Sequence, residues 1–119
     1  MPPIDRERLA KRVEATSYAD AGLTTEVAEA LRGSFPVAAA AGQVPDDIAA
    51  STDAIVALVI AALPGWHFSI HGRARPSGAW RCSLRRSDVR DDDEMLGVGE
   101  AQTLALATLA AVLRVAARQ

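Results

Sequence analysis

Twelve arginines and one lysine, Lys11, carry the positive charge of this 119-residue chain. Half of those arginines crowd into one stretch. Arg73, Arg75, Arg81, Arg85, Arg86 and Arg90 fall between residues 66 and 90 against a single acid, Asp88, a local net of +5 in a chain of formal charge −2. A guanidinium presents a rigid fork of donors that matches a carboxylate or phosphate through two parallel hydrogen bonds. Two readings are open. The stretch is a solvated strand face balanced by the acidic run that follows it, or it is a surface that recognises an anion. On the second reading the partner-binding residues are Arg73, Arg75, Arg81, Arg85 and Arg86. The partner is then an acidic surface on another protein, with nucleic acid as the alternative. The excess of Arg over Lys, beside 25 alanines, also fits the codon bias of a GC-rich genome.

The other reactive side chains have plainer readings. His67 and His71 are four residues apart, which on one strand separates them by about 13 Å. Two ligands of one metal must lie within about 4 Å of each other, so these read as surface histidines. Cys82 stands between Trp80 and Leu84, where an apolar setting raises a thiol's pKa and suppresses its nucleophilicity. Asp91, Asp92, Asp93 and Glu94 offer oxygens to a hard cation but lack the spacing and turn glycine of a calcium loop, so they read as a solvated loop. Gly97-Val98-Gly99 resembles the approach to a phosphate-binding helix, yet no Lys follows and Glu100 would repel a phosphate. These glycines read as the lead into a helix. No nucleophile is paired with a base. The expectation is a non-catalytic protein without cofactor or metal.

Periodicity supplies the frame for these residues. Ile4–Thr16 reads as a surface helix with Asp5 as its cap and Leu9 and Val13 as its apolar stripe. Leu23–Arg32 reads as a second helix, capped by Thr24 and stopped at Gly33. Gly33, Pro36, Gly42 and Pro45 mark residues 33–45 as a linker. Ser51–Leu63 reads as a third helix: Ser51 caps it, Ile55, Val59 and Leu63 form its stripe, and Pro64-Gly65 end it. Then the period falls to two. Trp66, Phe68 and Ile70 alternate with His67, Ser69 and His71. Past a Gly/Pro turn, Trp80, Cys82 and Leu84 alternate with Arg81, Ser83 and Arg85. This is a β-hairpin with one apolar and one polar face, and Trp66, Phe68, Trp80 and Leu84 are its expected core anchors. Met95–Val98 is a candidate third strand. Glu100–Arg118 reads as a last helix with Leu106, Leu109 and Leu113 on one side and Leu104 and Val115 nearly opposite. The second side needs the N-terminal helices or a second chain to cover it, so a homodimer through this helix, or through Ala54, Ala57 and Ala61, is expected.

The fold class is therefore α+β, a small antiparallel sheet of two or three strands packed against helices in the order ααα-β-β-(β)-α. One domain spans 1–119, as a helical pair (1–32), a linker (33–45) and an α-β-β-α core (46–119). The start, Met-Pro-Pro-Ile-Asp-Arg, has no signal-peptide pattern. The longest apolar run, Ala54–Leu63, is half of the roughly 20 residues a membrane span needs. One cysteine allows no internal disulfide. A cytoplasmic location without membrane attachment is the expectation.

Three stretches carry a likeness to known proteins. Leu9–Leu31 (LAKRVEATSYADAGLTTEVAEAL), Ser51–Trp66 (STDAIVALVIAALPGW) and Gly99–Leu113 (GEAQTLALATLAAVL) together resemble, in order, the small phage and prophage proteins with the phage ABA sandwich domain. The resemblance implies helices on both sides of a sheet and a phage-encoded accessory protein in the host cytoplasm. It brings no established activity. Small accessory proteins of this kind often act by occupying a site on a larger machine; inhibitors of host defence, anti-CRISPR proteins among them, are one such class.

Overall fold

Helices and strands follow one another as α1 (Pro3–Glu14), α2 (Ala21–Ser34), α3 (Pro36–Ala40), a 3₁₀ turn (Ile48–Ala50), α4 (Thr52–Ala62), β1 (His67–Gly72), β2 (Trp80–Arg85), β3 (Gly97–Ala101) and α5 (Leu104–Ala117) in a computed structural model. It describes residues 3–16, 18–72, 79–85 and 97–117. The three strands form one antiparallel sheet with β2 in the middle. The architecture is the expected α+β one.

The local signals hold for some ends and shift at others. Ser51 caps α4 as expected, its Oγ accepting the Ala54 N–H at 3.1 Å. Gly65 beyond the end of α4 takes φ 83°, a conformation that suits glycine. In α2 the cap is Asp20, whose Oδ1 accepts the Leu23 N–H at 2.8 Å, and Thr24 lies inside the helix. Asp5 lies in the first turn of α1, two residues past its start. For α5 the group accepting the Leu106 N–H is Thr103 Oγ1, at 3.2 Å, and Glu100 belongs to β3.

The segment expected to be a linker is built into the core. Helix α2 runs through Gly33 to Ser34, and Pro36 opens α3. There its missing N–H would have had no helical partner anyway. Phe35, Ala38 and Val44 are buried. The Arg32 guanidinium donates to the Val44 carbonyl at 3.0 Å and to Asp46, tying the returning chain to α2. Pro and Gly punctuate short turns here without freeing the chain.

Helix α5 is the axle of the molecule. Every residue from Leu106 to Leu113 is buried, as are Val115 and Ala116. The sheet packs on one side, mainly through β3 and β2, and α1 packs along another with Leu9, Ala10 and Val13. So α1 buries the expected Leu9 and Val13 stripe, with Ala10 beside it, and keeps Arg8, Lys11 and Arg12 in solvent. The second apolar stripe is covered within one chain: Val115 is fully buried and Leu104 is half-buried. It gives no reason for a dimer through α5. The alternative small-residue face stays open, with Ala57 and Ala61 exposed beside Ile60.

Gly97 and Gly99 do not lead into a helix. They lie in β3 with α5 directly against them. A Cβ on Gly99 would sit 2.7 Å from the Ala111 nitrogen and 2.8 Å from Ala110 Cβ, and closer still to the Ala107 carbonyl oxygen. A Cβ on Gly97 would meet the Ala111 carbonyl oxygen and Val115 Cγ2, each at 2.5 Å. Only glycine lets the strand approach the helix this closely.

Cys82 and Leu84 are fully buried under α5, as the alternation requires. Trp66, Phe68 and Trp80 are only partly buried. The helix lies over β3 and β2 and stops short of β1, so the apolar side of β1 is covered at one margin only. Among the described residues no helix covers the opposite face of the sheet, so the two-sided layering implied by the resemblance is not seen there. None of the described helices is long and apolar enough to cross a membrane.

Candidate binding surface

The strand register decides which polar side chains share the open face. Residues directly opposite in an antiparallel pair point to the same side. His71 of β1 lies opposite Arg81 of β2, which lies opposite Glu100 of β3. The next rows are Ser69, Ser83 and Val98, then His67 and Arg85. Two arginines, two histidines and two serines therefore stand together on the side away from α5. His67, Ser69, His71 and Arg81 are exposed, and Ser83 and Arg85 are half-buried.

Of the five arginines expected at a partner surface, Arg81 and Arg85 are brought onto this face. Arg73, Arg75 and Arg86 lie outside the described residues, as do Arg90 and the acidic run Asp91–Glu94. Arg81 Nη1 is 3.6 Å from Glu100 Oε1, with both side chains more than half exposed. An exposed pair at this distance contributes at most about 1 kcal/mol. Arg81 is therefore available to exchange Glu100 for another anion.

Ser69 Oγ and His71 Nε2 share a hydrogen bond of 3.1 Å in full solvent. A nucleophile–base pair also needs a third group to orient the base and donors for an oxyanion. Among the described residues no such groups converge on Ser69 and His71. Cys82 sits on the other face, and burial pushes its thiol pKa up against the opposing hydrogen bond from Thr108. No group of three or more His, Cys, Asp or Glu side chains among the described residues is placed to hold a metal. Shallow clefts elsewhere, between α1 and α2 (Asp5, Arg8, Arg12, Glu26) and between α3 and α4 (Phe35, Val37, Ala61), lie apart from the basic face.

A polar cluster not anticipated from the sequence closes the other edge of the sheet. Arg114 of α5 grips Glu14 of α1 in a bidentate pair, Nη1 to Oε2 at 2.7 Å and Nη2 to Oε1 at 2.6 Å. Its Nε reaches Glu7 Oε1 at 3.2 Å, and Nη1 also donates to the Val98 carbonyl at 2.7 Å. Glu14 Oε2 accepts the Glu100 N–H at 2.8 Å. The pair thus supplies β3 with one donor and one acceptor on its outer edge, as a neighbouring strand would. Burial alone would raise the Glu14 pKa. The hydrogen bonds from Arg114 and the Glu100 N–H, with the charges of Arg114 and Lys11, outweigh it and hold the carboxyl below its ordinary range. The signal for this cluster was Arg114 as the sole charge in α5, with Glu7 and Glu14 two helical turns apart on α1.

No protein-family model matches this sequence, and searches among curated proteins and among solved structures return no match.

Proposed function

We propose that this protein is a non-catalytic binding protein whose partner surface is the open, basic face of its sheet, engaging an acidic surface on a host or phage protein. The observation that carries the proposal is the register: it gathers Arg81, Arg85, His67 and His71, with Glu100 as the one acid among the described residues there, on the side of the sheet away from α5 in a chain whose net charge is −2. A concentrated local charge in an acidic protein steers oppositely charged partners and fixes their orientation. The resemblance to phage proteins supplies the context of an accessory protein that acts by occupying a site on a larger host machine, defence inhibition of the anti-CRISPR kind being one such role.

The alternative partner is nucleic acid. The partly exposed aromatics Trp66, Phe68 and Trp80 would stack on bases only from the basic face. The register puts Phe68 and Trp80 on the opposite side. This favours a protein partner.

The test compares the wild type with Arg81→Glu, immobilised and exposed to host lysate. Arg81 is exposed and weakly paired, so the variant keeps its melting temperature within about 3 °C. Loss of a specifically captured protein supports the proposal, and undiminished capture by the folded variant overturns it. A steep fall of affinity for plain duplex DNA with rising salt, lost in the variant, replaces the protein partner with nucleic acid.

A further inference from the structure

The two edges of the sheet are treated differently. On β3 the outward backbone groups, the Val98 carbonyl and the Glu100 N–H, are taken by Arg114 and Glu14. Backbone direction alternates along a strand, so Gly97, Gly99 and Ala101 bond to their opposites Leu84, Cys82 and Trp80. Arg81, Ser83 and Arg85 then bond to His71, Ser69 and His67. By the same alternation Phe68, Ile70 and Gly72 point their N–H and C=O groups outward from β1. Among the described residues nothing caps them.

The side chains beside this open edge differ by face. On the open face stand His67 and His71, with Arg85 and Arg81 one strand further in. An added strand would lie about 10 Å from β2, near one Debye length at 0.1 M salt, so its side chains would feel the arginines, with the imidazoles of His67 and His71 beside them as hydrogen-bond partners. On the α5 side are Phe68, Ile70, which is 42% exposed, and the Trp80 ring lying across Gly72. An edge that is basic above and apolar below complements a strand that is acidic above and apolar below.

From this we infer that β1 binds its partner by strand addition: an extended segment of alternating acidic and apolar residues pairs with Phe68, Ile70 and Gly72. This rests on the open face being the partner surface and adds the mode of docking. The apolar residues of the segment, opposite Phe68 and Ile70, cover those two side chains. Its acidic residues, opposite His67, Ser69 and His71, face the basic side. Affinity comes from main-chain hydrogen bonds and selectivity from the alternating side chains.

Three synthetic heptapeptides test this on the full chain: alternating valine and glutamate, the same peptide N-methylated at its valines, and a version with lysine for glutamate. Backbone amide exchange is read by NMR. In the free protein the Phe68, Ile70 and Gly72 amides exchange fast. The glutamate peptide at millimolar concentration slows them at least tenfold, and both the N-methylated and the lysine peptides bind at least tenfold more weakly. If the N-methylated peptide binds as well as its parent, strand addition is wrong while the open-face reading stands. If glutamate and lysine peptides protect the edge equally, docking ignores charge and both readings lose their basis. If no peptide protects the edge, the inference fails. If the protein alone protects these amides as its concentration rises, the edge belongs to a second copy and the inference again fails.

Discussion

Replacing Arg114 with Met removes the guanidinium that joins α1, α5 and β3 and keeps most of its aliphatic bulk. Its side chain is only 17% exposed and that of Glu14 only 22%. The variant leaves Glu14 with a single donor, the Glu100 N–H, and leaves the Val98 carbonyl without its partner. Breaking a fully buried ion pair from one side costs about 3–5 kcal/mol, and water reaching the exposed fifth of Glu14 reduces this to roughly 2–4 kcal/mol. For a domain of this size that lowers the melting temperature by about 8–16 °C. Adding Glu14→Gln removes the stranded charge and recovers about 1–2 kcal/mol, the mark of a coupled pair.

The pH dependence has a defined sign. Glu14 is held below its unfolded-state value, about 4.3 for a glutamate, so its contribution is present in full above that value. It is lost as the pH falls through the depressed folded value. In Arg114→Met the carboxyl keeps only the Glu100 N–H and the Lys11 charge against burial, so its pKa rises and the variant loses less than the wild type as the pH falls. The gap between wild type and variant therefore narrows from pH 7 to pH 3. Urea unfolding followed by the fluorescence of Trp66 and Trp80 measures it. A loss below about 1 kcal/mol at pH 7, or one that does not change with pH, refutes the assignment of Arg114 and Glu14 as the clasp of the β3 edge.

Three further outcomes follow from packing. Gly99→Ala pushes a methyl group into the backbone of α5, which cannot rotate away, and destabilises the fold by about 3 kcal/mol or more in urea unfolding. Gly33→Ala, inside α2 with open space around it and no positive φ, stabilises by about 0.5–1 kcal/mol in the same assay. Cys82 in the native protein reacts with a thiol reagent at least about 100-fold more slowly than in urea, since labelling must wait for opening of the α5–sheet contact.

The hairpin and α4 were legible because their signals are local. A two-residue alternation assigns Cys82 and Leu84 to one face and Arg81 and Arg85 to the other whatever they pack against, and Ser51 caps a helix wherever that helix lies. The shared face of Arg81 and Arg85 was legible for the same reason. What depended on distant partners was not. Gly-Val-Gly-Glu-Ala has poor strand propensity, so the candidate strand stops at Val98 and the last helix is read from Glu100; the segment becomes β3 because its glycines admit the backbone of α5. Glu14 and Arg114 stand 100 residues apart, and each taken alone looks like an ordinary end-of-helix charge. Phe35 and Val44 reveal that 33–45 is anchored only when the core beneath them is known.

The same division governs which substitutions are informative about function. The packed centre joins α5 to β3, β2 and α1, and the exposed side chains of the open face lie outside it. His67, Ser69, His71 and Arg81 are exposed, so changing them leaves the core contacts intact and keeps the stability effect within about 0.5–1 kcal/mol. At the β1 edge, likewise, the β1–β2 bonds lie on the far side of the strand from Phe68, Ile70 and Gly72. A partner strand would add bonds there without displacing any. Whatever binds β1 should therefore stabilise the folded chain by mass action, raising its melting temperature with partner concentration. A partner that bound the basic face and instead lowered the melting temperature would have to be competing with the fold, and the contact it meets at Arg81, the exposed pair with Glu100, is worth too little to account for that.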